Sequence, residues 1–142
     1  MKTTKLIAQI PRLIVAFVLL QTLYFKFGIG GEAALAESKD IFGAIALAIL
    51  GNADYESYLR IGTGLIELVA SILILINRTA IFGALLAVGL MAGAILSHLL
   101  FIGIEVMNDG GQLFMMAIIV LLAASKVFFD ERHVLLNLLA KK

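Results

Sequence analysis

Four long apolar runs, at residues 13–27, 58–76, 80–104 and 112–129, make up most of this chain, and its charges fall mainly in the gaps between them. The first run is the most broken, interrupted by Gln21, Thr22 and Lys26. An α-helix rises about 1.5 Å per residue, so roughly 20 apolar residues cross the hydrocarbon of a bilayer, and every run approaches or exceeds that length. The pattern predicts an all-α chain forming one domain, a bundle of four transmembrane helices over about residues 11–28, 57–76, 79–104 and 111–129. Pro11 suits a first helical turn, where its missing N–H is not needed. The cluster Gly28-Ile29-Gly30-Gly31 closes that first span.

Residues 32–54 do not fit the simple pattern. Positions 41–50 are apolar but too few to cross, and they lie between Ser38-Lys39-Asp40 and Gly51-Asn52. A short interfacial or re-entrant helix after the first span is expected there, capped by Ser38 or Asp40. An extracellular loop with one half-buried helical turn is the alternative. Tyr55 and Tyr58 open the second span where interfacial rings prefer to sit. The connection at Asn77-Arg78 is so short that the second and third spans must be antiparallel neighbours. Asp109-Gly110-Gly111 breaks the chain before the fourth.

Composition supports a membrane setting. With 62% hydrophobic and 15% charged residues, a water-soluble fold would lack the polar residues to cover its core. The absence of cysteine excludes disulfides, thiol redox chemistry, thiolate metal sites and iron–sulfur clusters. The net charge of +1 is uninformative, but its distribution is not. Lys2, Lys5 and Arg12 precede the first span, Arg78 sits in the second turn, and Arg132, Lys141 and Lys142 follow the fourth. The other two gaps are acidic, with Glu32, Glu37, Asp40, Asp54 and Glu56 against Lys39 in one and Glu105 and Asp109 in the other. The positive-inside rule therefore places both termini in the cytoplasm of a cell (inner) membrane, as four crossings also require. A cleaved signal peptide ending at Ala34-Leu35-Ala36 competes for the first run, but Lys26 and the long gap before that site disfavour it.

Ionisable groups inside spans cost about 2.5–3.5 kcal/mol each at a helix centre, so each demands a reason. Glu67 is the deepest, and a carboxyl there must be protonated, or paired and hydrogen-bonded. Arg60 lies two turns earlier on the same face, with Gly64 between them leaving room for a side chain or a ligand. His98 lies in the outer part of the third span, and Glu105 follows it by two turns at the outer mouth. Lys26 and Gln21 lie in the outer half of the first span. Counting residues thus brings Gln21, Lys26, Arg60, Glu67, His98 and Glu105 into the outer half of the bundle, as candidates for ligand binding or proton relay.

Plainer readings stand beside these. In these, Glu67 serves only as a hydrogen-bonding bridge between helices, with His98 as its partner, Lys26 and Arg60 snorkel to headgroups, and Glu105 is an interface charge. Gly89 and Gly93, extended by Ser97, form a small-residue stripe that reads as a packing seam inside the bundle or as a face for a homo-oligomer. Two-histidine haem ligation is excluded, because His98 and His133 fall on opposite sides of the membrane. No metal site is assigned, and no phosphate loop, nucleophile motif or basic nucleic-acid surface occurs.

Several stretches, taken in order, resemble the DoxX family of four-helix membrane proteins. They are Tyr24-Phe25-Lys26-Phe27, the Gly-x-Gly-Leu-Ile-Glu-Leu stretch at residues 62–68, the leucine-rich run ending at Arg78, Met91-Ala92-Gly93-Ala94 with His98, and Gly-Gly-x-Leu-Phe at 110–114. The similarity extends over nearly the whole chain. Family members often carry a Gly-Pro-like turn after the first span, whereas the only proline here is Pro11. The resemblance implies a four-span bundle, and the founding type looks like a subunit of a thiosulfate:quinone oxidoreductase. The chain itself holds no identifiable cofactor motif, so a quinone is the one cofactor the resemblance admits. The leading expectation is a membrane subunit of a quinone-linked redox system, with a redox partner subunit, that binds an apolar ligand in the outer half of the bundle. A non-catalytic assembly or scaffold subunit is the alternative, and small-solute transport is third.

Overall fold

A computed structural model describes residues 9–140, which fold into helices with no strand among them. Lys2, Lys5, Lys141 and Lys142, used in the charge argument, lie outside the described residues. Helix α1 (Ile10–Lys26) carries Pro11 in its first turn and Lys26 in its last, where a cation complements the helix dipole. Helix α2 spans Glu32–Leu50. A 3₁₀ turn, Ala53–Tyr55, leads into α3 (Glu56–Leu75). Helix α4 (Ala80–Ser97) runs on into a π-helical turn, His98–Ile102, and α5 covers Gln112–Leu139.

Two boundaries differ from the sequence reading. Helix α2 begins at Glu32 after Gly31, whose φ is 93°, with no side-chain cap, so neither Ser38 nor Asp40 starts it; Ser38 is buried within the helix. The residues 32–40 are mostly good helix formers, and the hydropathy pattern registered only the apolar second half. Helix α5 continues past Phe129 to Leu139 because the apolar run ends there in charge and not in a helix breaker. Its 28 residues run about 42 Å at about 1.5 Å each, more than the roughly 30 Å of bilayer hydrocarbon.

Helices α1, α3, α4 and α5 close a ring in which each packs on two neighbours: α1 on α3 and α5, and α4 on α3 and α5. Side-chain pairings establish that α1 runs antiparallel to α3 and α5, since Arg12 at its start meets Asn77 and Glu131 while Lys26 at its end meets Glu67. Helix α2 lies outside the ring against α1, α3 and the π-helical turn. The ring is filled by Val15, Ala16 and Leu19 of α1, Ala70 and Ile74 of α3, Ala80, Ala84, Ala87 and Met91 of α4, and Ala117, Val120, Ala124 and Val127 of α5. So many alanines allow close helix approach, which matters where lipid leaves little hydrophobic drive for helices to associate.

The outer surface is apolar. Phe17, Leu65, Ile72, Leu85, Leu96 and Leu122 are all exposed, while Arg12, Arg60, Glu67, Ser71 and His98 are buried. A water-soluble protein shows the reverse. Three stretches, Ala53–Leu75, Ala80–Ile102 and Gln112–Asn137, are long and apolar enough to cross a membrane, which marks a multi-pass membrane protein.

The glycine that sets helix spacing is Gly83. A Cβ built on it would lie 2.4 Å from the Ile74 backbone nitrogen and 2.8 Å from the Ala70 carbonyl oxygen. Gly89 and Gly93, expected as a seam inside the bundle, are instead exposed, and a Cβ on either meets nothing within 4 Å. Gly83→Ala should therefore destabilise the bundle by about 1–3 kcal/mol through overpacking. Gly89→Ala or Gly93→Ala should be neutral or stabilise by up to about 1 kcal/mol through helix propensity. Thermal unfolding of the three variants in one detergent checks this, and equal effects at all three positions would refute the assignment.

Candidate functional site

Near one end of the ring, four charged residues from α1 and α3, Lys26, Glu56, Arg60 and Glu67, form a closed polar cluster. Thr22 and Lys26 stand one turn apart on α1, so both face α3. The Lys26 ammonium lies 2.5 Å from Glu67 Oε1, and the Thr22 hydroxyl shares its proton between Glu67 Oε2 at 2.9 Å and the Leu19 carbonyl at 2.7 Å. The side chains of Lys26 and Glu67 are only 11% and 4% exposed. Of the two states expected for a carboxyl at this depth, the geometry is that of the paired one. The pair offsets the expense of holding either charge away from water, and removing one partner of such a pair typically destabilises by about 3–5 kcal/mol.

Arg60 completes the cluster from the first turns of α3. Its Nε donates to Glu56 Oε2 at 2.8 Å, one turn back on the same helix, and its Nη1 donates to the Lys26 carbonyl. The second contact satisfies one of the carbonyls left open where α1 ends. The space at Gly64, between Arg60 and Glu67, is taken by a side chain: a Cβ there would meet the Phe27 ring at 3.0 Å. Phe42 of α2 covers the cluster from outside, with the Lys26 ammonium 5.3 Å from its ring centroid, within cation–π range.

His98 is buried at the junction of α4 and the π-helical turn, and its recorded partners differ from those of Glu67. Its Nδ1 lies 2.7 Å from the Gly103 carbonyl, and its ring meets Phe114 edge to face at 5.5 Å. A carbonyl only accepts, so Nδ1 carries a proton and donates it to Gly103. The loop beyond is built on Asp109, whose carboxylate accepts backbone N–H bonds from Val106, Gly111 and Leu113 at 2.8–3.0 Å. Desolvation is the largest single influence on Asp109 and opposes its ionisation, but those three donors and the nearby His98 together prevail and hold its carboxyl below the usual carboxylate range. The same loop places Met107 and Asn108 at φ 53° and 62°, a left-handed backbone that side chains other than glycine rarely adopt.

Gln21 and Glu105 are exposed and make no hydrogen bond among the described residues, so of the six candidates only Lys26, Glu67 and Arg60 come together. Ser97 donates to the Gly93 carbonyl at 2.9 Å within its own helix. Thr22, Glu56 and Phe42 were missed by sequence reasoning. The spacing Glu56-x-x-x-Arg60 is a recognisable helical ion pair, and Thr22 shares the Lys26 face; nothing in the sequence points to Phe42. A second cluster was missed at the opposite end. The buried Arg12 donates to Asn77 Oδ1 at 2.6 Å and to Glu131, tying the start of α1 to the α3–α4 turn and to α5. No buried side-chain polar atom lacks a partner, and no group of three or more metal-binding side chains occurs, among the described residues.

No family model, curated protein or solved structure matches this chain.

Two outcomes follow from this geometry. Lys26→Met should lower stability by about 3–5 kcal/mol, and adding Glu67→Leu should restore most of it, because the pair is then replaced by apolar groups and no charge stays unpartnered. A double-mutant cycle on unfolding in detergent measures this, and additive losses would rule out direct pairing. For Asp109, a carboxyl held below its ordinary value stabilises the fold when ionised. Its contribution is complete above the unfolded value and fades as pH drops through the folded one. Asp109→Asn should thus lower the melting temperature near neutral pH and flatten its fall at acid pH; an unchanged acid limb would contradict the assignment.

Proposed function

We propose that this chain is a DoxX-like four-span protein of the cell inner membrane that binds an apolar ligand at the Lys26–Glu67 cluster as a small membrane subunit of a quinone-linked redox system. One observation carries the reading. The two most distinctive stretches behind the DoxX resemblance, Tyr24-Phe25-Lys26-Phe27 and residues 62–68, contribute the two partners of one buried ion pair. Ionisable groups enclosed by apolar helices are functional by default. Helix α1, at 17 residues, lies at the short end of the range that can cross, which makes it the fourth span beside the three longer helices. Helix α2 then covers the outer end of the bundle. Arg12, Arg78 and Arg132 gather at the end opposite to Glu32, Glu37 and Asp54, which supports a cytoplasmic location for both termini.

The test is a thermal shift with ubiquinone and menaquinone analogues on detergent-purified protein. Stabilisation by at least one analogue, lost in Glu67→Gln, is expected, and no shift with any analogue would remove the quinone-linked reading.

The second reading, a non-catalytic assembly subunit, is favoured by the open stripe at Gly89 and Gly93, where a partner backbone would meet no side chain. In that case Gly93→Leu abolishes co-purification with the partner while Lys26→Met/Glu67→Leu, which leaves no lone buried charge, keeps function intact, and the ligand reading expects the opposite pattern.

A further inference from the structure

We infer that the concave surface shared by α2, the start of α3 and the π-helical turn binds one phospholipid whose head group carries a primary ammonium. This surface is separate from the Lys26–Glu67 cluster, and its occupant does not depend on what that cluster holds.

Two grooves meet on α2. One, of about 570 Å³, lies between α2 and the segment that opens α3, where Lys39, Asp40, Asp54 and Glu56 line it. The other, of about 260 Å³, lies between α2 and the chain beyond α4, lined by Phe101, Ile102 and Met107. Asp40 and Ala44, one turn apart on α2, line both, so the two are neighbouring parts of one surface. The larger part is charged and the smaller apolar. The larger alone falls within the range of about 300–1,000 Å³ common to small-molecule sites.

Depth selects an amphiphile. The apolar stretch Ala53–Leu75 begins at this surface and Ala80–Ile102 ends at it, which sets it at the boundary between hydrocarbon and water. Tyr55 and Tyr58, both exposed, mark the same level, where interfacial rings prefer to sit. Phe101 and Met107 are 44% and 54% exposed. An acyl chain laid against them covers that apolar area while its head group stays in the charged part, at the level of water.

Charge selects the head group. Glu56 is already held by Arg60. Lys39, Asp40 and Asp54 are exposed and form no ion pair among the described residues. The free charges are therefore one ammonium and two carboxylates. A phosphodiester finds its counterion in Lys39. A primary ammonium, with three N–H donors, finds acceptors in Asp40 and Asp54. A trimethylammonium head has no N–H to give, and a glycerol head leaves the net negative charge of its lipid facing two carboxylates. Exposed ion pairs are individually weak, so the preference is severalfold and not many orders of magnitude.

The experiment titrates the full chain in detergent with phosphatidylethanolamine, phosphatidylcholine and phosphatidylglycerol of identical acyl chains, and counts bound lipid by native mass spectrometry. One phosphatidylethanolamine per chain is expected, held about fivefold tighter than either other lipid, the scale of two exposed ion pairs. Asp40→Asn/Asp54→Asn should erase that preference, and Lys39→Gln should weaken all three lipids alike. Ala44→Trp, which fills the place where the grooves meet, should remove the bound lipid. All four positions are exposed, and the melting temperature verifies that each variant folds. Equal binding of the three lipids, a preference that survives in Asp40→Asn/Asp54→Asn, or undiminished binding in Ala44→Trp would each overturn the inference. Soluble phosphoethanolamine binding as tightly as the lipid would overturn it too. So would a two-chain mass that Ala44→Trp abolishes, which would assign the surface to a second copy.

Discussion

The ion pair between Lys26 and Glu67 is the interaction on which the α2-covered end of this bundle depends. It joins α1 to α3 where α1 would otherwise finish with open carbonyls, and Arg60 secures the same junction by donating to the Lys26 carbonyl. Neither charge could be held alone among apolar helices, so each enforces the position of the other. Thr22 then fixes the free carboxylate oxygen, which leaves Glu67 little freedom to turn toward another helix. His98 holds a different partner, the Gly103 carbonyl in the loop that leads to α5.

The bundle applies the same rule at both ends. Each buried cation has a carboxylate partner: Arg12 with Glu131, Lys26 with Glu67 and Arg60 with Glu56. Two of these pairs link helices distant in sequence and one lies within a helix, so the first two tie the ring together and the third shapes a single residue. Arg12 does for one end what Lys26 does for the other, with Asn77 bringing in the α3–α4 turn. Between the two polar ends the ring is packed with alanine and branched aliphatic side chains. Its register is therefore set at its ends, and its spacing by small residues in the middle.

Much of this was legible in the sequence. Apolar runs located the long helices because crossing a bilayer imposes length and composition together. Depth counting found Lys26, Arg60 and Glu67 because residues per turn and rise are constant. The same counting does not give direction around a helix axis, which is why Glu67 and His98, similar in depth, were placed together although they hold different partners. Helix α4 shows the limit most clearly. It is apolar all round, so no polar face reveals which side is inward. The Gly89/Gly93 spacing identified a face without side chains and said nothing about where that face points, whereas Gly83, in no motif, meets the backbone of α3.

Helix α2 was hard to read because it belongs to two environments at once. Its charged first half, with Glu32, Glu37, Lys39 and Asp40, suits water, and its apolar second half suits lipid or protein. A hydropathy pattern splits such a segment in two, although its backbone is one continuous helix. That division also explains why only Ser38 and Ala46 of its 19 residues are buried. A helix with both halves so adapted gains little by burying either. The ion pair thus meets a helix that buries few of its own residues, and Phe42 is the point of contact between them.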